Sequence, residues 1–559
     1  MRTHQVLNVP APWAGVNLFD DDRALAAALA AAGADAGQLR RLSLLGRQAG
    51  TAEAQDWARL ANLYPPVLRS HDRYGNRIDE VEFHPSWHQL MSVAVGNGLH
   101  AAPWADPSPN AHLVRAAGFY VWSQLEQGHG CPVSMTYAVL PALRHSPSLA
   151  AEYEPGLTSL SYDFGLRAPA AKSGLLAGMA MTEKQGGSDV RANTTRATPN
   201  ADGSYSITGH KWFCSAPMCD LFLVLAQAES GRSCFLAPRV LPDGSRNDFA
   251  LQRLKDKLGN RSNASSEVEF DATTGWLVGA EGRGVRTILE MVSMTRLDCV
   301  IGSAAVQRAA LTQAMHHIAG RDAFGARLSS QPLMRQVVAD LAVEVQAAAA
   351  LFLRLATAVD RAEAPLLRLA VAAAKFWVCK RTPMVVGEAL ECLGGAGYVE
   401  ESPLPRYFRE SPLNSIWEGS GNVIALDVVR AASREPEAVQ ALQDELALSA
   451  GADSRLDAAA DQLAKRLAAL GADPDADARS ARGLAGLLAR TLQAALLVRA
   501  AGSADAEPGA AAVAEAFLAS RLGGGGPDVF GAAAAGFGSS AIDEMLDYSD
   551  PNRVAAQRH

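Results

Sequence analysis

The hydrophobic and polar positions of this chain change their spacing twice, and each change predicts a different kind of domain. Residues 1–174 contain helical stretches at 21–33, 52–61 and 111–126, separated by segments that contain proline. Apolar positions every three or four residues are typical of an amphipathic helix, whereas proline interrupts one. This part is therefore predicted to be a mixed but mostly helical N-terminal domain.

Between residues 175 and 283 the spacing shortens to that of β-strands. Alternating positions or short apolar runs lie at 205–208, 221–225, 233–236 and 267–270. Turn-forming pairs such as Asp202-Gly203 and Gly259-Asn260 separate these runs. We expect a compact central domain of antiparallel strands over residues 175–283.

After residue 284 the helical period returns in four long stretches, at 285–319, 331–360, 364–393 and 423–432. Four helices of this length favour a bundle over residues 284–432. Pro383 lies inside the third stretch. Because proline removes one helical hydrogen bond, we expect a kink or a break near Thr382.

The last segment, residues 433–559, differs from the rest in composition. It is rich in Ala and Asp and carries a net charge of −7, against −8 for the whole chain. Residues 523–526 are four glycines, which predict a flexible linker rather than a ligand-binding loop. The segment is expected to form an additional helical tail.

Composition narrows the class of protein. The 51 Lys and Arg against 59 Asp and Glu provide no overall cationic field for nucleic acid or anionic lipid. The seven cysteines are scattered without a CxxC pair, which argues against zinc and disulfides and favours the reducing cytoplasm. Neither a signal peptide nor an uninterrupted apolar window of 18 residues is found, so secretion and a membrane span are not expected.

Two motifs of the central region are suited to holding a ligand. Residues 181–189 read Met-Thr-Glu-Lys-Gln-Gly-Gly-Ser-Asp, where small residues let backbone N–H groups approach a phosphate or a ring edge. Residues 209–215 place Phe213 two positions before Ser215, which offers a planar ring a face and a hydrogen bond. The competing interpretation of the first motif is an ordinary polar turn, and that of the second is a strand with one face in the core.

A third motif carries a candidate general base. In residues 416–422, Ile-Trp-Glu-Gly-Ser-Gly-Asn, Glu418 stands between an aromatic residue and a glycine. Desolvation by Trp417 is expected to raise the pKa of this carboxylate towards the range that suits proton abstraction. The alternative is that Glu418 interacts with the dipole of the helix that follows.

Two further features are better explained by ordinary secondary structure than by a ligand-binding or metal site. Residues 393–398, Leu-Gly-Gly-Ala-Gly-Tyr, depart from G-x-G-x-x-G and follow a helical pattern, so a helix terminus explains them better than a nucleotide fold. His316 and His317 are adjacent and therefore point to different helix faces. No metal site is predicted.

Taken in order, these motifs resemble those of the acyl-CoA dehydrogenase family over about residues 178–432. Thr182-Glu183 and Gly187-Ser188-Asp189 are similar to its first signature, and Phe213 with Ser215 to its second. The later signatures correspond to Arg321, Phe324, Gly325 and Gln331, then to Gly394-Gly395, and finally to Glu418-Gly419-Ser420.

Longer strings resemble the AidB-type branch of that family, which is linked to the adaptive response to alkylating agents. These are residues 181–189, 254–265 and 414–422, together with 83–88 and 131–136 in the N-terminal part. The resemblance covers residues 1–432 well and the tail weakly. Phe213 replaces the usual Trp of the family, Lys184 a frequent Pro, Trp417 the usual Tyr and Asn422 the usual Gln.

The resemblance implies an α+β fold with a helical N-terminal domain, a central antiparallel β-barrel domain and a C-terminal four-helix bundle, followed by the helical tail. It implies FAD as the cofactor, an acyl-CoA thioester of short or branched chain as substrate, and a homotetramer. Glu418 would be the catalytic base. Cofactor contacts are implied at Met181, Thr182, Gly187, Ser188, Phe213, Cys214, Ser215, Arg321, Phe324, Gln331, Gly394, Gly395, Ile416, Trp417, Gly419, Ser420 and Asn422.

The resemblance also assigns roles within that set. Thr182 would bond the pyrimidine edge of the flavin, Ser188 its pyrophosphate, and Ser215 the region of N5. Arg321, Gln331 and the glycine pair would reach the flavin nucleotide of a neighbouring subunit. The thioester carbonyl would accept hydrogen bonds from the Glu418 backbone N–H and from a ribityl hydroxyl of the flavin.

A second hypothesis follows from the same branch, namely a protective flavoprotein that binds double-stranded DNA and has weak dehydrogenase activity. The candidate DNA contacts in the tail are Arg479, Arg482, Arg490 and Arg499. Because the tail is acidic overall, a solvated face with interspersed charges is the competing interpretation of these arginines.

Overall fold

The computed structural model describes residues 3–504, 506–523 and 538–551, and the contacts within it divide the chain into two units. The helical unit comprises the described residues within Met1–Gln55, His112–Leu125 and Cys299–His559. The barrel unit comprises Asp56–Ala111 and Glu126–Asp298. The N-terminal domain predicted over residues 1–174 is therefore divided between the two units.

The helices are α1 (Arg23–Ala31), α2 (Ala36–Ala49), α3 (Ala52–Leu63), α4 (Pro85–Gly96), α5 (Ala102–Ala105), α6 (Ala111–Ser123), α7 (Gly130–Leu143), α8 (Pro147–Leu157), α9 (Gly284–Gly320), α10 (Pro332–Asp360), α11 (Ala364–Cys392), α12 (Gly395–Tyr398), α13 (Leu404–Glu410), α14 (Gly421–Arg434), α15 (Pro436–Ala447), α16 (Ser454–Ala468), α17 (Pro474–Ala501), α18 (Ala510–Phe517) and α19 (Ser539–Ser549). The strands are β1 (Val67–His71), β2 (Arg77–Glu82), β3 (Ala177–Ala180), β4 (Arg196–Pro199), β5 (Tyr205–Ser215), β6 (Leu221–Ala228), β7 (Gly231–Pro238), β8 (Phe249–Leu254), β9 (Ser265–Val278), β10 (Asp322–Ala323) and β11 (Ala326–Arg327).

The strands of the barrel unit close into a ring. β6 pairs with β4, β4 with β5, β5 with β9, β9 with β7, and β7 again with β6. The predicted β-barrel is thus confirmed, with two differences in pairing: β3 and β4 both run parallel to β6. The apolar run 221–226 is buried at every position, because a strand covered on both faces needs no polar alternation.

A two-stranded hairpin in the N-terminal part was not predicted. β1 and β2 pair antiparallel at Val67↔Glu82 and Leu68↔Val81. Their sequences, Val-Leu-Arg-Ser-His and Arg-Ile-Asp-Glu-Val-Glu, are short and rich in charge, so the hydrophobic pattern gives them little weight. The remainder of this part is mostly helical, as predicted.

Helix α10 is the centre of the helical unit because it is buried on two faces. Val338, Leu341 and Val345 pack into one core cluster with residues of α9 and α11. Ala339, Val343 and Ala347 pack into a second cluster with α17, α18 and α19. By length and hydropathy alone α10 and α17 would qualify as membrane spans, but 78% and 72% of their apolar windows are buried within the protein. Burial of this extent is typical of core helices.

Of the kink or break predicted at Pro383, the break is wrong, since α11 continues from Ala364 to Cys392 with the proline inside it. One turn earlier, the Val378 carbonyl accepts hydrogen bonds from Thr382 Oγ1 at 2.8 Å and from Gln307 Nε2 at 3.2 Å. Side chains therefore add hydrogen bonds to the turn that precedes the proline.

The tail packs against the bundle as part of the same unit. Arg521 is nearly buried, and it donates to Asp340 at 2.5 Å and to Glu344 at 2.7 Å, both on α10. Leu456, Phe517 and other apolar residues of the tail belong to the second core cluster, which includes Ala339, Val343 and Ala347 of the same helix. The helical character predicted for the tail is confirmed over the described residues. Of the linker predicted at residues 523–526, residues 524–526 lie outside the described residues.

We expect Arg521→Ala to lower the free energy of unfolding of the helical unit by about 3 kcal/mol, because Asp340 and Glu344 would be left buried without this partner. The measurement is denaturant unfolding followed by circular dichroism. Arg479→Ala is the matched control in the same tail, since Arg479 is 72% exposed and lies 3.9 Å from Asp473. Equal stability of the two variants would contradict the prediction.

Candidate active site

The segment after β3 is fixed by a buried ion pair. Lys211 Nζ of β5 lies 2.9 Å from Glu183 Oε1, and both side chains are fully buried. The same ammonium donates to the Leu225 carbonyl at 2.7 Å and the Met181 carbonyl at 3.3 Å. Glu183 also accepts from the Thr194 backbone N–H at 2.7 Å. Burial raises the pKa of Glu183, but Lys211 and the hydrogen bonds outweigh it and lower the pKa to about 2.

This anchoring exposes the predicted ligand-binding part of the segment. Met181 and Thr182 are half-buried beside the pair, while Gly187 and Ser188 are exposed. A Cβ atom on Gly187 would lie 2.9 Å from the Thr182 side chain, so only glycine allows this close approach. The Thr182 carbonyl accepts from the Trp212 backbone N–H at 2.8 Å, which joins the first motif to the second.

The second motif lies on an irregularity of β5. The pairing of β5 with β9 shifts register between Lys211 and Cys214, as in a β-bulge. Phe213 is 52% exposed, whereas Cys214, also predicted to contact the cofactor, is fully buried. Ser215 Oγ lies 3.3 Å from Ser265 Oγ at the end of both strands. The second motif thus carries an exposed ring at Phe213 and a half-buried hydroxyl at Ser215 on the same strand.

In the helical unit, the segment between α9 and α10 presents an aromatic side chain to solvent. Phe324 and Gly325 both have positive φ, at 53° and 78°, and they form the turn of the β10–β11 hairpin. Phe324 is 100% exposed. Arg321 Nη1 donates to the Asn8 carbonyl at 2.7 Å, and Gln331 Nε2 to the Ala323 carbonyl at 2.8 Å.

The glycine pair at the end of α11 lines an apolar pocket. Gly394 has a φ of 58° and no atom within 4 Å of an added Cβ, so its backbone is open to a ligand. The pocket has a volume of about 540 Å³ and is also lined by Leu390, Tyr398 and Phe408. Tyr398 is 80% exposed, which is unusual for a large aromatic residue.

Glu418 lies in a short loop with left-handed backbone, just before α14. Its φ is 56°, and that of Gly419 is 102°. The preceding residue is fixed, since Trp417 Nε1 donates to Asn414 Oδ1 at 2.7 Å. Ile416 is 62% exposed, Gly419 and Ser420 are half-buried, and Asn422 is exposed at the start of α14. The loop thus holds one carboxylate in a constrained and partly exposed position.

The loop is attached to α11 by a lysine. Lys375 is 1% exposed, and its Nζ donates to the Trp417 carbonyl at 2.6 Å and to the Gly419 carbonyl at 2.5 Å. These two carbonyls belong to the residues on either side of Glu418. Sequence reasoning missed Lys375, although a single charge in the apolar helical run 369–379 is a signal that could have found it.

Three of the four tail arginines predicted to contact DNA are engaged within the helical unit. Arg482 Nη1 donates to Asn422 Oδ1 at 2.7 Å. Arg490 donates to the Arg521 carbonyl at 3.0 Å and lies over the Trp377 ring. Arg499 forms an ion pair with the buried Glu445. Arg479 is the member of this set that extends into solvent.

The barrel unit contains a cationic pocket that the sequence did not reveal. Its volume is about 760 Å³, and its lining includes Arg191, Arg232, Arg283 and Arg286. The four arginines come from three separate segments, the last at the first turn of α9. Arg191 pairs with Asp189 at 3.0 Å. Within the described residues, the other three make no side-chain hydrogen bond. The pocket is therefore suited to a ligand with several negative charges.

The structure thus gathers the predicted residues into local groups. Met181, Thr182, Gly187 and Phe213 belong to adjacent segments of the barrel unit, with Ser188 and Ser215 in the same two segments. The residues from Ile416 to Ser420 form a loop of the helical unit, and Asn422 lies at the start of the α14 helix that follows it. Among the described residues, no cluster of three or more His, Cys, Asp or Glu side chains has the arrangement of a metal site.

Domain families match three parts of the chain. Residues 8–164 match the adaptive response protein AidB N-terminal domain. Residues 178–273 match the acyl-CoA dehydrogenase middle domain, and residues 282–433 match the acyl-CoA dehydrogenase C-terminal domain.

Relatives extend the likeness to the length of the chain. AidB of Escherichia coli (strain K12) is 48% identical over 472 residues, which cover 83% of this chain and 87% of that protein. The crystal structure of Caenorhabditis elegans ACDH-11 in complex with C11-CoA has a TM-score of 0.84 at 26% identity, and covers 100% of this chain and 96% of that one. An acyl-CoA dehydrogenase of Bacillus anthracis complexed with FAD shares the fold, with a TM-score of 0.64 at 18% identity over 84% of this chain and 83% of that one.

The Glu183–Lys211 pair predicts a pH dependence of stability. Because the pKa of Glu183 falls from an ordinary 4.5 to about 2 on folding, its ionised form stabilises the barrel unit above pH 4.5. That contribution is lost as the pH falls towards 2. The denaturant midpoint of the wild type is therefore expected to be higher than that of Glu183→Gln at pH 5. This difference should shrink as the pH is lowered from 5 to 2. Glu80→Gln, which removes an exposed partner of Arg246, is the control. A pH-independent difference would contradict the assignment.

Proposed function

The chain belongs to the AidB-type branch of the acyl-CoA dehydrogenase family, and on that premise we propose that it oxidises acyl-CoA thioesters with FAD, using Glu418 as the base. The observation that carries the proposal is the segment 416–422, a loop that leads into the first turn of α14. Glu418 is its one acidic residue, and Lys375 and Asn414 fix the residues beside it.

The residues present in the barrel unit fit FAD. Phe213 offers an exposed ring face, Ser215 a hydroxyl, and the segment at Gly187 a backbone that a Cβ would obstruct. We assign Thr182 to the pyrimidine edge and Ser188 to the pyrophosphate, as in the family. When bound, FAD supplies the acceptor for the β-hydride of the substrate.

Glu418 performs the proton transfer in this proposal. The substrate Cα–H bond breaks, its proton passes to a carboxylate oxygen of Glu418, and its electron pair becomes the second Cα–Cβ bond as the β-hydride leaves. The backbone N–H of Glu418 donates to the thioester carbonyl, where negative charge develops. Trp417, held by Asn414, borders the base, and we propose that it favours short or branched acyl chains.

The cationic pocket supports a CoA thioester as the substrate. The nucleotide end of CoA carries a diphosphate and a 3′-phosphate, and guanidinium groups bind phosphate oxygens through paired hydrogen bonds. Arg232, Arg283 and Arg286 are available for this purpose, together with Arg191. We therefore assign the pocket to the phosphates of CoA.

A homo-oligomer is part of the proposal. Phe324 and Tyr398 are largely exposed, and the pocket at Gly394 and Gly395 is apolar. In the family these positions, with Arg321 and Gln331, serve the flavin nucleotide of a neighbouring subunit, so we propose a tetramer. We also propose a cytoplasmic location, which suits seven buried cysteines that form no disulfide.

Double-stranded DNA, the second candidate partner, has less support. Arg482, Arg490 and Arg499 would have to leave their intramolecular partners before they could bind phosphate. In addition, the net charge of −7 in residues 433–559 would repel the phosphates of DNA. Thioester oxidation is therefore the function that we propose.

Glu418→Gln is expected to retain FAD and to lose flavin reduction by at least about 1,000-fold, because an amide does not accept the α-proton. The test is anaerobic bleaching of the flavin spectrum by a panel of short, branched and C11 acyl-CoAs. Glu400→Gln, which changes an exposed carboxylate of the same unit that pairs with Arg409, serves as the control. A Glu418→Gln variant with wild-type reduction rates would remove Glu418 from the mechanism.

The double variant Arg283→Ala/Arg286→Ala should raise the Kd for an acyl-CoA by about tenfold or more, since two phosphate contacts are removed. Its Kd for the corresponding acyl-pantetheine, which lacks the nucleotide, should stay unchanged. Arg246→Ala, an exposed arginine of the same unit that pairs with Glu80, is the matched control. An equal rise in Kd for acyl-CoA and acyl-pantetheine would show that the phosphates of CoA bind elsewhere. Titration calorimetry provides both constants.

A further inference from the structure

Lys375 occupies an unusual position for a charged side chain. It projects from the apolar helix α11 and is 1% exposed, yet its two recorded hydrogen bonds go to main-chain carbonyls. The acceptors are Trp417 O at 2.6 Å and Gly419 O at 2.5 Å, on either side of Glu418. Burying an ammonium is costly, and a neutral donor would bridge two carbonyls at lower cost. The charge itself therefore calls for an explanation.

The first of these carbonyls has a chemical link to the proposed reaction. The Trp417 carbonyl and the Glu418 N–H belong to one peptide group. A cation bound to the oxygen of an amide withdraws electron density from its nitrogen and makes the N–H a stronger donor, because successive hydrogen bonds polarise one another. In the proposed mechanism this N–H donates to the thioester carbonyl.

The second carbonyl belongs to Gly419 and concerns the backbone conformation. Glu418 has a φ of 56°, which a residue with a side chain adopts only when its surroundings enforce it. Lys375 bonds the carbonyls of the residues before and after Glu418, and so restrains the 417–418 and 419–420 peptide groups that bracket it. Asn414 adds to the restraint by accepting from Trp417 Nε1 and donating to Ser303 Oγ at 3.1 Å.

We infer that Lys375 is a positioning residue that acts through the 417–418 peptide group: its ammonium strengthens the Glu418 N–H as the donor to the thioester carbonyl and holds Glu418 in its left-handed conformation. The inference rests on the proposed function, since it concerns the same site. It adds an electrostatic element from α11 that lies outside the loop motif. The ammonium stabilises the transition state most, because negative charge develops there on the carbonyl oxygen. Loss of Lys375 should therefore lower the rate of flavin reduction more than the affinity for acyl-CoA.

The test compares Lys375→Met, which removes the charge and both hydrogen bonds, with Lys375→Gln, which keeps a neutral donor. Lys380→Met is the matched control on the same helix, because Lys380 Nζ donates to the Ser415 side chain at 3.2 Å and, among the described residues, to no main-chain carbonyl. FAD content and circular dichroism establish that each variant is a folded holoprotein.

Two readouts separate the electrostatic role from a structural one. The first is the infrared stretch of a ¹³C-labelled thioester carbonyl in a bound acyl-CoA without β-hydrogens, which reports hydrogen-bond strength without turnover. We expect it to move towards the free-ligand frequency in Lys375→Met and, to a lesser degree, in Lys375→Gln. The second is flavin reduction by an oxidisable acyl-CoA, which should slow by about 10- to 100-fold in Lys375→Met with less than about a threefold change in Kd.

The outcomes distinguish this inference from the function on which it rests. If the wild type neither binds an acyl-CoA nor is reduced by one, the proposed function fails. If the wild type is active and both Lys375 variants keep its carbonyl frequency and rate, the inference fails alone. Loss of the folded holoprotein in both variants would also overturn it, in favour of a purely structural lysine.

Discussion

In each unit of this protein, a buried lysine donates to the main chain of the loop that carries the candidate site residues. In the barrel unit, Lys211 bonds the Met181 carbonyl of the loop and the Leu225 carbonyl of strand β6. Lys375 bonds those of Trp417 and Gly419 in the helical unit. A loop that presents its N–H groups to a ligand must turn its carbonyls inwards, and buried carbonyls need donors. The exposed face of each loop depends on the ammonium behind it.

The two lysines differ in how their charge is balanced. Lys211 has the carboxylate of Glu183 at 2.9 Å, so the pair is neutral overall and its main effect is on stability. The recorded partners of Lys375 are carbonyl dipoles, which leave the positive charge effective at the surrounding peptide groups. The same side chain therefore supports the fold in one unit and the electrostatics of the site in the other.

The sequence predicts those features of this protein that depend on residues close together in the chain, and it misses those that depend on distant residues. Periodicity places the ends of α9, α10 and α11 within one residue, because long helices repeat the same pattern many times. It misses the β1–β2 hairpin and the packing of the tail on α10, which depend on distant partners. The Glu418 loop is recognisable as a contiguous motif. The cationic pocket is not, because Arg191, Arg232 and Arg283 meet only in the folded barrel unit.

The two buried faces of α10 have a consequence for biosynthesis. The first face can pack as soon as α9 and α11 are complete, whereas the partners of Ala339, Val343 and Ala347 begin at Leu456 and continue to Met545. At about 5–20 residues per second, the ribosome needs several seconds or more to reach them. During that interval the nascent chain exposes an apolar stripe. Folding on the ribosome is therefore the stage at which this stripe favours aggregation, until the tail covers it.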